Sequence, residues 1–142
     1  MRERIFRGKI LGSDEWIYGD LRYCGGKYSI YSKGRKAELV QENTIGEYTG
    51  LKDKNGWNVF EGDICKVVYL DKRCNSSGEH YFAENIIIEE VAFYKGTFCF
   101  KTTIEDITMY RPIGFEIYEK QKIKYFEVLG NIYDNSELLN NE

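Results

Sequence analysis

The residues best suited to chemistry are few. Cys24, Cys65, Cys74 and Cys99 are the only thiols, and His80 is the only histidine. No two cysteines stand at the C-x-x-C spacing by which one turn supplies two metal ligands or a redox couple. Cys65 and Cys99 fall in strand-forming runs, where a reduced thiol behaves as a small buried hydrophobe. Cys74 sits in the polar run Asp71-Lys-Arg-Cys-Asn-Ser-Ser-Gly-Glu-His80, beside Arg73, whose charge would lower its thiol pKa. A Cys74/His80 metal site would need two further ligands, and a Cys–His nucleophile pair would need a third group to orient it. Neither is supplied by motif, so the expectation is ordinary loop residues, with no metal and no cofactor.

The carboxylate pairs Glu89-Glu90 and Glu105-Asp106 are adjacent in sequence. Neighbours on a strand point to opposite faces, so such pairs are badly placed to share a proton or flank one bond, and they read as solvated charge. Gly8, Gly12 and Gly25-Gly26 do not match either phosphate-binding glycine pattern, and no long helix follows them. With one histidine and no triad by motif, the chain is read as a non-enzyme, with no catalytic residues assigned.

Binding residues are better represented. Arg2, Arg4, Arg7, Lys9, Lys33, Arg35 and Lys36 place seven cations in the first 36 residues. They interleave with Phe6, Trp16, Tyr28 and Tyr31, and aromatic rings among cations suit stacked bases and phosphates. Against a dedicated nucleic-acid binder stands an overall pI of about 5.4.

Whatever these residues do, strands and turns must position them. The chain has 142 residues, 22 of them aromatic, with 20 Lys and Arg against 23 Asp and Glu. That is one domain or two small modules, too aromatic for a disordered chain. Residues 1–41 hold nine basic and five acidic side chains, and residues 42–142 eleven and eighteen, so a basic first third precedes an acidic body. No stretch approaches the roughly 20 apolar residues of a membrane span, and no apolar signal core follows Met1. A soluble protein of the cytoplasm, without a membrane partner, is expected.

Ile5–Leu11 and Glu15–Leu21 flank Gly12-Ser13-Asp14 and read as a hairpin, and Gly25-Gly26 turns the chain into Tyr28–Tyr31. Tyr28 and Ile30 share a face at period two. After the basic turn Lys33-Gly34-Arg35-Lys36, Ala37–Val40 gives a further short strand. Asn55-Gly56 is a tight-turn signal of the type I′ kind, in which both central residues take positive φ. Ile64–Leu70 is rich in β-formers. Ile86–Tyr94 and Thr97–Lys101 form a hairpin about Lys95-Gly96, and Lys124–Leu129 a last strand. Ile104–Ile107 is compatible with a helical turn, and Pro112 suits an edge or loop.

Several of these stretches carry a resemblance. Tyr48-Thr49-Gly50-Leu51-Lys52-Asp53-Lys54-Asn55-Gly56 with Glu61-Gly62-Asp63-Ile64 resembles the signature of the YopX family of phage and prophage proteins. The opening Ile5–Gly8 and Trp16–Leu21, and the closing Glu127–Asn135 with Gly130-Asn131, resemble it too. Departures are Ser136 in place of a frequent proline, Cys65 in place of valine, and a longer loop from Asp71 to Asn85. The resemblance implies a mainly β fold with little helix: an N-terminal β-hairpin module over residues 1–47, and a C-terminal small SH3-like β-barrel over residues 48–142. It also implies a setting inside an infected or lysogenic bacterium, and it implies no activity. The resulting expectation is a non-catalytic interaction or assembly module, with a homo-oligomer or an unknown phage or host protein as partner. Nucleic acid, held by the basic N-terminal segment, is the alternative partner.

Overall fold

In the computed structural model the described residues are 4–113 and 121–140. The fold is mainly β, with two antiparallel sheets and two short 3-10 turns. The chain divides into two compact units, Met1–Leu51 with Asn58–Glu61, and Lys52–Trp57 with Gly62–Glu142.

The first unit holds β1 (Phe6–Lys9), β2 (Trp16–Cys24), β3 (Lys27–Tyr31), β4 (Glu38–Leu39), β5 (Gly46–Lys52) and β6 (Asn58–Phe60). They form one sheet in the order β4-β3-β2-β1-β5-β6. The first expected hairpin is β1 with β2, in a register that sets Lys9 opposite Trp16. The second closes through Gly25 and Gly26, both at positive φ, with Cys24 opposite Lys27. Only glycine takes that geometry on two successive residues without steric cost. The alternation places Ile17, Ile30 and Val40 in a core that Phe6, Ile10, Leu21, Tyr28 and Ile45 extend. The segment read as Ala37–Val40 is a two-residue strand followed by an isolated bridge from Val40 to Ile10.

The second unit holds β7 (Asp63–Cys74), β8 (His80–Tyr94), β9 (Thr97–Ile104), β10 (Ile107–Pro112) and β11 (Gln121–Asn131). Their order is β10-β9-β8-β7-β11. The hairpin about Lys95-Gly96 is as expected, with positive φ at both residues and Tyr94 opposite Thr97. On β7, Ile64, Cys65, Val67, Val68 and Tyr69 are all buried, so both faces of this central strand are covered.

Four expectations are corrected here. The sheet is not closed into an SH3-like barrel: closure needs the two outer strands to pair, and here β10 and β11 are the ends of an open order. Ile104–Ile107 is not a helical turn but a two-residue hairpin turn, with Ile104 opposite Ile107 and Glu105 at φ 55. Asn55-Gly56 is not a type I′ turn, since positive φ occurs at Gly56 and not at Asn55. The residues from Asp71 to Asn85 are no long loop but the outer part of the β7–β8 hairpin, whose connection is only Asn75–Glu79.

Gly19 marks the tightest approach in the first unit. A Cβ there would stand 2.1 Å from the carbonyl oxygen of Tyr31 and 2.8 Å from its carbon, atoms of backbone that cannot swing aside. Gly19→Ala is therefore expected to destabilise the fold by about 1–3 kcal/mol, the usual range for overpacking. A urea-unfolding midpoint equal to that of the parent chain would contradict this account.

Candidate functional site

The basic and aromatic residues of the first unit divide into buried and exposed groups. Arg7 is only 5% exposed; its guanidinium lies 4.8 Å from the Trp16 ring and 5.1 Å from the Phe60 ring, and Nη2 donates to the carbonyl of Glu61 at 3.4 Å. Lys9, also buried, places Nζ 5.6 Å from Trp16 and 3.7 Å from Asp14. Arg7, Lys9 and Trp16 thus come together, as internal cation–π packing rather than as a face for phosphates. Tyr28 packs against Tyr23 at 4.8 Å. On the surface remain Arg4, which pairs with Glu47, and Lys33, Arg35 and Lys36 in the β3–β4 connection, with Arg35 reaching Glu15 at 3.5 Å. Exposed Tyr31 lies 5.0 Å beneath the Arg22 guanidinium. Arg2 lies outside the described residues.

The signature residues hold turns. Tyr48 is buried against Phe60, and Thr49 Oγ1 donates to the carbonyl of Val59 at 2.8 Å. Gly50 takes φ 87, and Leu51 lies exposed beside it. Asp53 is the hub of the next turn. Its Oδ1 accepts from the amides of Asn55 and Trp57, both at 2.9 Å, while its Oδ2 accepts from Val128 of β11 at 2.9 Å. The amide of Gly56 returns to the Asp53 carbonyl at 3.0 Å, and Asn55 Nδ2 reaches Glu127 at 3.5 Å. Glu61 bonds back to Glu47 through its amide, Gly62 at φ 94 donates to Val91, and Asp63 is buried. Near the end of β11, Asn131 Oδ1 accepts from Tyr133 and Asp134, and a Cβ on Gly130 would stand 2.4 Å from Asn135 Oδ1. Side chains so engaged fix backbone.

A model of the YopX protein family matches residues 6–140. The chain belongs to the YopX family. No curated protein matches it. Its family signature, read on the structure, is a set of backbone clamps: Asp53 ties the turn after β5 to β11, and Gly130 with Asn131 shapes the turn after β11.

The residue that sequence reasoning misplaced in this YopX-family chain is Glu89. Expected in solvent, it is fully buried on β8. Its carboxylate accepts from the Tyr69 hydroxyl of β7 and the Thr102 hydroxyl of β9, and Arg111 of β10 closes the group at 2.9 Å. The Arg111 guanidinium also lies 5.1 Å from the Tyr69 ring. Four adjacent strands therefore contribute one side chain each to a single polar cluster. Alternation does hold: Glu90, the sequence neighbour, points the other way, opposite Lys101. Burial raises the pKa of Glu90, and the Lys101 charge opposes that rise. Tyr69 is raised well above its ordinary 10.0, first by burial and then by the neighbouring Glu89 charge. A tyrosine so placed stays a donor. The cluster is saturated, with one carboxylate, two hydroxyl donors and one guanidinium. The missed signal was the context of Glu89, between Ile86-Ile87-Ile88 and Val91 in a strand that is central in the sheet.

Among the described residues, no group of three or more His, Cys, Asp or Glu side chains could hold a metal ion, and no helix is long and apolar enough to cross a membrane. Cys65 and Cys99 are buried thiols, as expected from their strands; Cys24 and Cys74 are exposed. The exposed apolar side chains that sequence reading did not single out include Tyr81, Phe82 and Ile86, on the part of β8 that pairs with Val68–Arg73.

Two outcomes test the cluster. Arg111→Met should cost about 3 kcal/mol, because a buried carboxylate loses its countercharge, and adding Glu89→Leu should recover most of that loss. Equal stability of the single and double variants by chemical unfolding would contradict it. Because the folded pKa of Tyr69 lies above the unfolded value of 10.0, its stabilising contribution is complete below pH 10 and falls as pH rises further. Above that point the parent should lose about 1.4 kcal/mol per pH unit more than Tyr69→Phe, measured by unfolding at fixed alkaline pH values.

Proposed function

We propose that this YopX-family chain is a non-catalytic interaction or assembly module, acting in the bacterial cytoplasm as a phage or prophage product. The observation that carries the reading is the contrast between polar groups bonded within the fold and apolar ones left exposed. Glu89, Arg111, Asp53 and Asn131 make their bonds within the second unit. The arm of the β7–β8 hairpin, by contrast, presents Tyr81, Phe82 and Ile86 at 47%, 50% and 56% exposure. Phe82 and Ile86 share one face by alternation, and exposed apolar side chains together on a sheet face suit a protein surface. A second copy of the chain is the first partner this supports, and an unknown phage or host protein the next.

One observation favours the alternative, a nucleic-acid accessory protein: Lys33, Arg35 and Lys36 stay exposed in the connection that follows Tyr31, whose ring carries Arg22. The two readings separate in one pair of measurements. On the first, light scattering gives a mass above the 16.7 kDa of one chain, and Phe82→Asp with Ile86→Asp returns it to one chain without lowering the unfolding midpoint. A strict monomer that binds a fluorescent single-stranded oligonucleotide, with affinity falling steeply as salt rises, would shift the assignment to nucleic acid.

A further inference from the structure

The geometry points to a metal half-site at the tip of the β7–β8 arm: Cys74 and His80 together bind a zinc-like divalent cation, and the same pair from a second copy completes the shell. This rests on the reading of the arm as an assembly surface and adds to it a ligand and a partner.

Five residues separate Cys74 from His80 in sequence, a spacing without a metal motif. The strand register removes that separation, for Cys74 and His80 are directly opposite each other as the last pair of β7 with β8. The next pair outward, Asn75 with Glu79, is joined by a backbone hydrogen bond of 2.9 Å from Asn75 N to Glu79 O. Bonded and non-bonded pairs alternate along an antiparallel ladder, so Cys74 and His80 form a non-bonded pair. In such pairs the Cα atoms are about 4.5 Å apart and the two side chains leave the same face at their closest. A sulfur and an imidazole nitrogen that share one zinc, at about 2.3 and 2.0 Å from it, need side chains placed in this way.

The turn beyond the pair is built to hold it. Asn75 Oδ1 accepts from the amides of Ser77 at 3.0 Å and Glu79 at 2.9 Å, and Gly78 takes φ 83. Both ligands are exposed, and the Cys74 thiol donates to the Asn75 carbonyl at 3.5 Å. The Arg73 guanidinium, on the opposite face by alternation, is held by Asp71 at 3.8 Å.

Two ligands do not satisfy zinc, which takes four in a structural site. Among the described residues nothing else in the chain completes the set. A second arm does, with two thiolates and two neutral imidazoles. On binding, each thiol gives its proton to solvent, and two thiolates balance the charge of a divalent cation. Beyond the pairing of β11 with β7, which ends at Asp71, and that of β9 with β8, which ends at Glu90, the tip of the arm is free of other described strands. Two tips can meet there by their exposed Cys74/His80 faces. Beside them on the same face, Phe82 supplies apolar contact.

The test uses the full chain in a phosphine reductant, stripped with EDTA and titrated with zinc chloride. Light scattering should show the mass doubling, with saturation at one zinc per two chains and reversal by EDTA. Cobalt in place of zinc should give the visible absorption of a tetrahedral thiolate complex. Cys74→Ser and His80→Ala should each weaken zinc binding by roughly 100-fold or more and abolish the doubling, whereas Cys24→Ser, at the other exposed thiol, should change neither. Saturation at one zinc per chain without a mass change would overturn the inference. So would zinc-dependent doubling that survives both variants. Assembly that ignores EDTA, Cys74→Ser and His80→Ala but is lost in the Phe82→Asp, Ile86→Asp chain would overturn the metal site and leave the assembly surface standing. A monomer under every condition would overturn both.

Discussion

The pairing of β7 with β8 is the interaction on which the second unit depends. It runs from Ile64 opposite Glu90 to Cys74 opposite His80, the longest register among the described residues. Strands β9 and β10 add to one side by two-residue turns, and β11 returns to the other side over a long sequence separation. Two register shifts in β11, at Ile123/Tyr125 and Val128/Gly130, absorb the mismatch of that return. The buried cluster and the exposed arm are two stretches of this one hairpin. Where neighbours flank it, Glu89 is sealed and must be fully bonded; where they end, Cys74, His80, Tyr81 and Phe82 face solvent.

Burial decides what each polar side chain can do. Glu89 and Glu90 are the same residue type on consecutive positions, yet one meets Tyr69, Thr102 and Arg111 and the other faces Lys101. A carboxylate in the middle of a sheet is tolerated only when donors surround it, and three strands supply them. Arg111 sits on the outermost strand, so the ion pair also fastens that edge to the centre of the sheet. In the first unit, the cations at Arg7 and Lys9 follow the same rule, with Trp16 and Phe60 in place of carboxylates around Arg7. Their stems and charges are part of the packing.

The family signature has a physical content that composition does not display. Asp53 makes three accepted bonds, one of them to an amide 75 residues away in sequence. Glutamate would carry the same charge on a longer stem and could not keep that compact turn geometry. Gly130 leaves room for Asn135, and Asn131 caps the backbone that follows. These positions specify how segments meet, which accounts for a recognisable sequence.

Local patterns in the sequence determined the β class, the hairpins about Gly12, Gly25-Gly26 and Lys95-Gly96, the buried thiols at Cys65 and Cys99, and family membership, because turn glycines and period-two alternation act over a few residues. Tertiary structure alone decided the open strand order, the burial of Arg7, Lys9 and Glu89, and the meeting of Cys74 with His80. It also reduced the apparent charge division: the first compact unit holds nine basic residues against eight acidic ones, since Glu42, Glu47 and Glu61 belong with it. Each of these depends on which distant strand becomes a neighbour. Pairing between distant strands is set by the whole core, and no local run of residues encodes it.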